Sequence, residues 1–316
     1  MDTLSDVLRA VRLKGAIFFD VHASDPWAAE TPAGKLIVGR MFPAAGHLIC
    51  YHAITRGSCW ACVGDEPPLQ LARGDVVVIP HGDAHVLSNE PGLRGVQDVE
   101  RYRAPNEMEL PVSITMGAGG TVSAGFVCGF LGCDARPYNP LLQSLPKVFK
   151  VSDAVDGSLS AYVQIALAES KTPRIGGESV LGRLSELMFV DVIRRYLETL
   201  PSDDLNWLSG LRDPQIGRAL AEMHRHPADD WTLEALAHKV AMSRSAFAER
   251  FTTFVGTPPM QYLMNWRVQV AAGQLANTKD SVAVIANRVG YESEAAFSRV
   301  FKKLVGSSPS AWRKGH

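Results

Sequence analysis

Two copies of one pattern lie 50 residues apart near the C-terminal end of the chain: Phe247-Ala-Glu-Arg-Phe-Thr-Thr-Phe-Val-Gly256 and Phe297-Ser-Arg-Val-Phe-Lys-Lys-Leu-Val-Gly306. In each copy two phenylalanines are four residues apart, so they share one helical face, and Val-Gly closes the segment. Upstream the similarity continues with a shift of one residue, since Leu236-Ala237 and Val240-Ala241 correspond to Ile285-Ala286 and Val289-Gly290. Each copy therefore predicts a short helix, a tight turn at a small residue and a second helix.

This arrangement is a helix-turn-helix, whose second helix usually lies in the major groove of DNA. The alternative is a duplicated helical hairpin that only packs, but small residues stand where the two helices must approach closely. A long amphipathic segment from Met260 to Ala276 joins the copies, with an apolar stripe at Leu263, Trp266, Val270 and Leu275. Such a helix can hold two reading helices apart on one DNA face, where major grooves recur every ~34 Å.

The stretch from about Asp213 to Arg313 resembles the DNA-binding domain of AraC/XylS-type regulators. The resemblance is closest in Val282-Ala-Val-Ile-Ala-Asn-Arg-Val-Gly-Tyr-Glu-Ser-Glu-Ala-Ala-Phe-Ser-Arg-Val-Phe-Lys302, followed by Ser308-Pro309 and Trp312-Arg313. It implies an all-α domain with two helix-turn-helix units and double-stranded DNA as a partner. RNA polymerase is a further expected partner if the regulator is an activator.

Candidate DNA contacts lie on the faces of the second helices that the phenylalanines leave free. They are Ser243, Arg244, Ser245, Ala248, Glu249 and Arg250 in the first copy and Ser293, Glu294, Ala295, Ser298, Arg299 and Lys302 in the second. By the family's pattern, Ser245, Ala248 and Glu249 occupy base-reading positions. Arg299 has a donor fork that suits guanine, and Lys302 suits a phosphate. For each residue the alternative is an ordinary solvated side chain.

Composition limits the class of protein. The net charge of -1 conceals an asymmetry, because the chain from Asp213 onward carries +4 and the remainder carries -5. A basic module on an acidic one is consistent with nucleic-acid binding at the C-terminal end. Charged residues interrupt any signal-peptide pattern at the N-terminus, no apolar run could span a membrane, and the five cysteines are odd in number. We therefore expect a reduced, cytoplasmic protein without a membrane partner.

The distribution of β-prone and helical patterns along the chain predicts an α+β protein with four segments. Residues 1–140 are expected to form a cupin-like antiparallel β-barrel with a sensor role, because short β-prone runs such as Leu48–Ile54 and Phe126–Phe130 alternate with Gly and Pro. Residues 141–200 predict a helical pair, and the wide apolar stripe of its second helix indicates a homodimer interface. Residues 201–212 predict a linker, and residues 213–316 the DNA-binding domain.

A second motif, Gly74-Asp-Val-Val-Val-Ile-Pro-His-Gly-Asp-Ala-His-Val-Leu-Ser-Asn89, resembles the second sequence motif of cupins. The first cupin motif is degraded, because its usual His-x-His and Glu positions fall on Ala44, Gly46 and Cys50. The metal triad of cupin enzymes is therefore absent, and no cofactor is required. Together with Gly57-Ser-Cys-Trp60 and Val127-Cys-Gly129, the first half resembles the cupin-type sensor domain of a subgroup of AraC-like regulators.

The barrel remains a candidate site for a small-molecule effector or a metal ion. Cys50 and His52 share a strand face by alternation, and with Trp60, His81 and His85 they form the expected effector pocket. His52, His81, His85 and Cys128 are donors of the kind that zinc or another divalent metal takes. The alternative is that they are core residues with ordinary hydrogen bonds. Cys59 and Cys62 resemble a metal or redox pair, but residues three apart on a strand point to opposite faces.

The pattern as a whole predicts a sequence-specific transcriptional regulator that is not an enzyme. An effector or metal sensed in the barrel would control DNA binding by the C-terminal domain. One alternative is a cupin enzyme fused to a DNA-binding module, against which the missing first-motif histidines argue. Another is a barrel that serves only as a dimerisation scaffold.

Overall fold

The computed structural model describes residues 2–104, 107, 110–134, 136–153, 157–172, 174–201 and 203–315. Contacts divide the chain into two units, each assembled from separate parts of the sequence. The sheet unit comprises Leu13–Cys133 and Leu145–Thr199, and the helical unit comprises Met1–Arg12, Asp134–Ser144 and Leu200–His316. Within the described ranges, no helix combines the length and the apolar character that crossing a membrane requires.

The strands of the sheet unit form two sheets. The first contains β1 (Lys14–Ser24), β3 (His47–Arg56), β6 (Asp75–Ile79), β8 (Val112–Gly117), β9 (Ala124–Cys133) and β10 (Phe149–Ser152), in the order β10–β6–β3–β9–β1–β8. The second contains β2 (Ala28–Thr31), β4 (Ser58–Val63), β5 (Leu69–Ala72) and β7 (His85–Ser88), in the order β2–β7–β4–β5. A short helix, α2 (Gly34–Met41), and a 3-10 turn at Val99–Arg101 lie in the connections.

The expected sheet-rich N-terminal fold is present, with one departure from an antiparallel barrel. Strand β1 pairs with β8 in parallel, with Phe19 opposite Val112, whereas its other neighbour β9 is antiparallel. A parallel pair requires a long connection, and the excursion between Ser24 and Val112 supplies it. Strand alternation turns the apolar residues of both sheets inward, where rings such as Phe19 and Phe130 meet edge to face with centroids 6.3 Å apart.

The two predicted helices of the second segment are α4 (Ser158–Lys171) and α5 (Gly177–Thr199). Helix α5 packs on β1 and β9 of the six-stranded sheet. The Tyr51 hydroxyl on β3 donates a hydrogen bond of 2.8 Å to Ser185 Oγ on α5. Gly129 makes room for that tyrosine, because a Cβ there would lie 1.9 Å from its ring.

The helical unit consists of α-helices from three parts of the chain. They are α1 (Thr3–Ala10), α3 (Pro140–Ser144), α6 (Trp207–Arg212), α7 (Pro214–Arg225), α8 (Leu233–Lys239), α9 (Arg244–Val255), α10 (Pro259–Asn277), α11 (Val282–Arg288), α12 (Glu294–Val305) and α13 (Pro309–Gly315). The pairs α8–α9 and α11–α12 are the two predicted helix-turn-helix units, and α10 is the predicted connecting helix.

The one-residue shift between the two repeats lies in their turns. The first turn passes through Ala241 with φ of 55°, and the second through Gly290 with φ of 85°. The second turn then needs one more residue before Ser293, the cap of α12, than the first needs before Ser243, the cap of α9. Glycine is required at the second turn for a further reason, because a Cβ on Gly290 would lie 2.8 Å from the carbonyl oxygen of Ala228.

The observed units differ from the predicted boundaries at both ends of the predicted sensor domain. Residues 1–12 and 134–140, expected in the cupin-like domain, and residues 141–144, expected in the helical pair, belong to the helical unit. Gln269 on α10, only 1% exposed, explains why. Its side chain accepts a hydrogen bond from the Tyr138 backbone N–H and donates one to the Ala10 carbonyl, each 2.9 Å long. The guanidinium of Arg12 binds Asp134 through two hydrogen bonds of 2.6 and 2.9 Å.

The predicted linker 201–212 is not only a connection between domains, because it contains helix α6. Trp207 on that helix is 3% exposed, and its Nε1–H donates a 3.0 Å hydrogen bond to the Tyr262 hydroxyl. The same hydroxyl lies 2.7 Å from Nε2 of His224. Burial lowers the pKa of His224 to about 3, so the ring is neutral and completes an uncharged polar network. This segment is part of the core of the helical unit.

Candidate nucleic-acid interface and interior cavity

The second helices of the two repeats are built alike. Ser243 Oγ and Ser293 Oγ cap them by accepting hydrogen bonds from the N–H groups of Ala246 and Ala296, at 3.3 and 3.2 Å. A serine cap satisfies an otherwise unpaired N–H of the first turn. The two phenylalanines of each helix are fully buried. Each helix therefore presents the opposite face to solvent, where a DNA groove can be reached.

Most of the predicted DNA contacts are on that solvent face. Those exposed are Ser243, Arg244, Ser245, Glu249, Ser293, Glu294, Ala295, Arg299 and Lys302, and Ala248 and Ser298 are half-buried. Within the described chain, the side chains of Arg299 and Lys302 form no hydrogen bond or ion pair. Both charges are thus available to an anionic partner.

Arg250 differs from the other predicted contacts. Its guanidinium lies 2.5 Å from Asp213 Oδ2 and 5.5 Å from the centre of the Phe254 ring. Asp213 caps helix α7 through hydrogen bonds from the N–H groups of Gln215 and Ile216. The hydrogen bond and charge of Asp213 raise the pKa of Arg250. Arg250 is exposed like most of the other predicted contacts, but the carboxylate that binds it lies 37 residues away in sequence, so the local pattern could not predict the ion pair.

Helix α10 connects the two repeats through hydrogen bonds of Arg267, a residue that the sequence patterns did not identify. The guanidinium of Arg267 donates hydrogen bonds to the carbonyls of Pro227 at 2.6 Å, Asp229 at 2.8 Å and Gly290 at 3.3 Å. The first two precede the first repeat, and the third lies in the turn of the second. Burial lowers the pKa of Arg267, and the three carbonyls supply the polar partners that a half-buried guanidinium needs.

The interior of the sheet unit contains a chain of hydrogen bonds that joins its two sheets. Cys128 on β9 lies opposite His52 on β3, and its Sγ is 3.0 Å from His52 Nδ1. His52 Nε2 is 2.7 Å from Nε2 of His85, which begins β7 in the other sheet. His85 Nδ1 is 2.9 Å from the backbone carbonyl of Asp83.

The backbone carbonyl of Asp83 determines where each proton lies in this series of hydrogen bonds. Since a carbonyl only accepts, His85 Nδ1 carries a hydrogen and His85 Nε2 accepts one from His52 Nε2. His52 Nδ1 is then unprotonated and accepts from the Cys128 thiol. Burial, and then the neighbouring His85, lower the pKa of His52 well below its ordinary value, and burial lowers that of His85 to about 4. Burial raises the pKa of Cys128, so all three groups are neutral.

Only some of the residues predicted to form the effector pocket and the metal site lie close together. His81 is exposed, and its ring bonds to the Leu145 carbonyl at 2.9 Å. Trp60 lies on the outer face of β4, with Cys62, while Cys59 faces the core. Cys50 is buried in the hydrophobic core. Both ring nitrogens of His52 already face other groups, and within the described ranges no three His, Cys, Asp or Glu side chains are arranged to hold a metal ion.

A cavity of about 280 Å³ lies beside this chain of hydrogen bonds. Its apolar lining residues are Phe19, Val21, Ala28, Ala29, Leu87, Val96, Ile114, Met116 and Phe126, and its polar or charged ones are Glu30, Thr31, His52, Arg101, Tyr102, Thr115 and Cys128. Glu30 also lines it and accepts hydrogen bonds from Arg94, Gly95 and Gln97, which anchor the loop beside the cavity. The hydrogen bond from Arg94 lowers the pKa of Glu30. A cavity that places polar groups among apolar walls can hold a small molecule.

Comparison with known proteins matches both units. A sequence profile described as Cupin matches residues 2–198, and one described as Helix-turn-helix domain matches residues 236–315. A relative from Streptomyces lividans, named as an AraC-like transcription regulator, is 31% identical over 99% of this chain and 98% of its own. One of the same description from Streptomyces antibioticus is 31% identical over 99% of both chains. The HTH-type transcriptional regulator AlkR of Acinetobacter baylyi is 28% identical over 99% of both.

Proposed function

The chain belongs to the AraC family of transcriptional regulators, and from that premise we propose that a small molecule held in the cavity of the sheet unit controls DNA binding by the helical unit. The chain is a DNA-binding regulator with an N-terminal cupin-like domain, and its relatives are named as regulators rather than enzymes. The observation that carries the proposal is the 280 Å³ cavity, whose lining combines apolar side chains with polar ones that include His52, Cys128, Glu30 and Arg101.

The effector proposal predicts that occupation of the cavity stabilises the protein. A molecule that binds only the folded chain raises its unfolding temperature, and above Kd the stabilisation grows with the logarithm of the ligand concentration. We expect Phe126→Ala, which enlarges the cavity, to change which compounds in a small-molecule panel produce this shift. Thermal unfolding of both proteins with each compound, and DNA affinity with the compounds that bind, provide the test. If no compound shifts either protein, or if bound compounds leave DNA affinity unchanged, the proposal is wrong.

We further propose that the second reading helix, α12, discriminates bases at least as strongly as α9. On α12, Arg299 is exposed and has no partner within the described chain. On α9, the exposed base-reading candidates are serine and glutamate, and Arg250 is held by Asp213. A guanidinium fork can bind guanine O6 and N7 together.

Arg299→Ala is expected to weaken binding by roughly 1–3 kcal/mol and to relax the preference at one base pair. Lys302→Ala, the matched control on the same helix, should weaken all sequences alike and reduce the salt dependence by about one ion. Selection from randomised operators with each variant measures both effects. If the selected motif of Arg299→Ala is unchanged at every position while overall affinity falls, Arg299 contacts a phosphate.

We propose a homodimer formed through the helical pair. Helix α5 buries one face on the sheets, with Leu181, Met188 and Val192 covered. Large apolar side chains remain outside this contact: Ile165 is 48% exposed, Val180 40% and Leu187 45%. A second copy of the chain is the simplest cover for an apolar face, because closed two-fold contacts are the commonest assembly.

Leu187→Asp should dissociate this dimer, because the contact would bury an unpaired charge. Leu36→Asp is the matched control, since Leu36 is 55% exposed on helix α2 of the same unit. Sedimentation velocity of the two variants and the parent chain gives the oligomeric state. A dimer that persists in folded Leu187→Asp would contradict the proposed interface.

A further inference from the structure

The wall of the cavity in the sheet unit contains a thiol paired with an imidazole. We propose that Cys128 is a covalent capture site for small α,β-unsaturated carbonyl compounds, with His52 as the base that accepts the thiol proton. This inference extends the proposed sensing function, because it names the chemical class of one kind of effector. The capture itself concerns only residues of the sheet unit.

The pair has the geometry of an activated nucleophile. A nucleophile and its base within hydrogen-bond reach, with the base oriented by a third group, is the arrangement that generates reactive thiols. Here the thiol is 3.0 Å from His52 Nδ1, and His52 Nε2 is 2.7 Å from His85. His85 is held in turn by the Asp83 carbonyl. His52 and Cys128 line the cavity, whereas His85 lies behind them as a positioning residue.

The surroundings can accommodate the proton that His52 would gain. His85 Nε2 accepts the hydrogen bond from His52 Nε2 and so keeps His52 Nδ1 unprotonated and directed at the thiol. The charge of Asp83 favours a positive His85, the ring to which His52 is hydrogen-bonded. Asp83 Oδ2 is buried and has no hydrogen-bond partner within the described chain, so a transient positive charge nearby would compensate it.

The reaction balances without any co-reactant. Cys128 Sγ forms a bond to the β-carbon of the unsaturated carbonyl compound while the thiol proton passes to His52 Nδ1. The electron pair of the carbon–carbon double bond moves to the α-carbon and carbonyl, giving an enolate. His52 Nδ1 then returns the proton to the α-carbon. The product is a thioether, and His52 is again neutral.

The size of the cavity and the positions of the other cysteines favour capture at Cys128. Several times the ~30 Å³ share of a liquid water molecule is available, which is enough for a small organic compound. Val96, which lines the cavity, is 89% exposed, so this loop provides an entrance. Cys50, Cys59 and Cys133 are buried and do not line the cavity, and Cys62 is half-buried on the outer face of β4.

The test uses full-length Cys62→Ser protein, which removes the cysteine on the outer strand face, and but-3-en-2-one as the probe. Intact mass and peptide mapping should show one adduct, at Cys128, and the rate should saturate with probe concentration because the probe first occupies the cavity. His52→Gln should lower the rate about a hundredfold and make it rise tenfold per pH unit, because the thiolate must then form without a base. The control His81→Gln, at an exposed histidine, should react like the parent.

Cys128→Ser keeps a polar hydrogen-bonding group opposite His52 and should fold but carry no adduct, so mapping is decisive even if His52→Gln does not fold. Labelling of Cys50, Cys59 or Cys133 as fast as Cys128 would overturn the proposal. An unchanged rate in folded His52→Gln, or the absence of any adduct, would also overturn it. An adduct at Cys128 that leaves DNA affinity unchanged supports capture and contradicts the proposed sensing function, so the two failures are distinguishable.

Discussion

The arrangement of the helical unit depends on one guanidinium. Arg267 extends from α10 and binds the carbonyls of Pro227 and Asp229 ahead of the first helix-turn-helix and that of Gly290 within the second. The N-terminal part of α10 packs Tyr262 against Phe251 of the first repeat, and the C-terminal part buries Ala272 and Leu275 in the core of the second. Two reading helices can act on one DNA molecule only if their separation is fixed, and these contacts fix it.

The same helix also binds parts of the chain from far outside the repeats. Gln269 joins the end of α1 and the segment that follows β9 to α10. The backbone of β9, which carries Cys128 in the cavity wall, therefore continues directly at Asp134 into the helical unit.

The features that the sequence predicted are those with a local period. Phenylalanines four apart, serine caps and the Val-Gly endings identified both repeats, and strand alternation correctly placed Cys50 and His52 on one inward face. Contacts between residues far apart in the sequence could not be predicted from these local patterns. The ion pair of Arg250 with Asp213, the burial of Trp207 and the role of Gln269 each require a residue from another segment. His81 and Trp60 do not line the cavity, because the His81 ring bonds to the Leu145 carbonyl and strand alternation puts Trp60 on the outer face of β4.

The central claim is that two reading helices held by α10 contact successive major grooves on one face of DNA. A hydroxyl-radical footprint of the full-length protein on an operator obtained by selection tests it most directly. The account predicts two protected segments per protein chain, about 10 base pairs apart centre to centre. A single protected segment, or two whose spacing is not close to one helical turn, would contradict it.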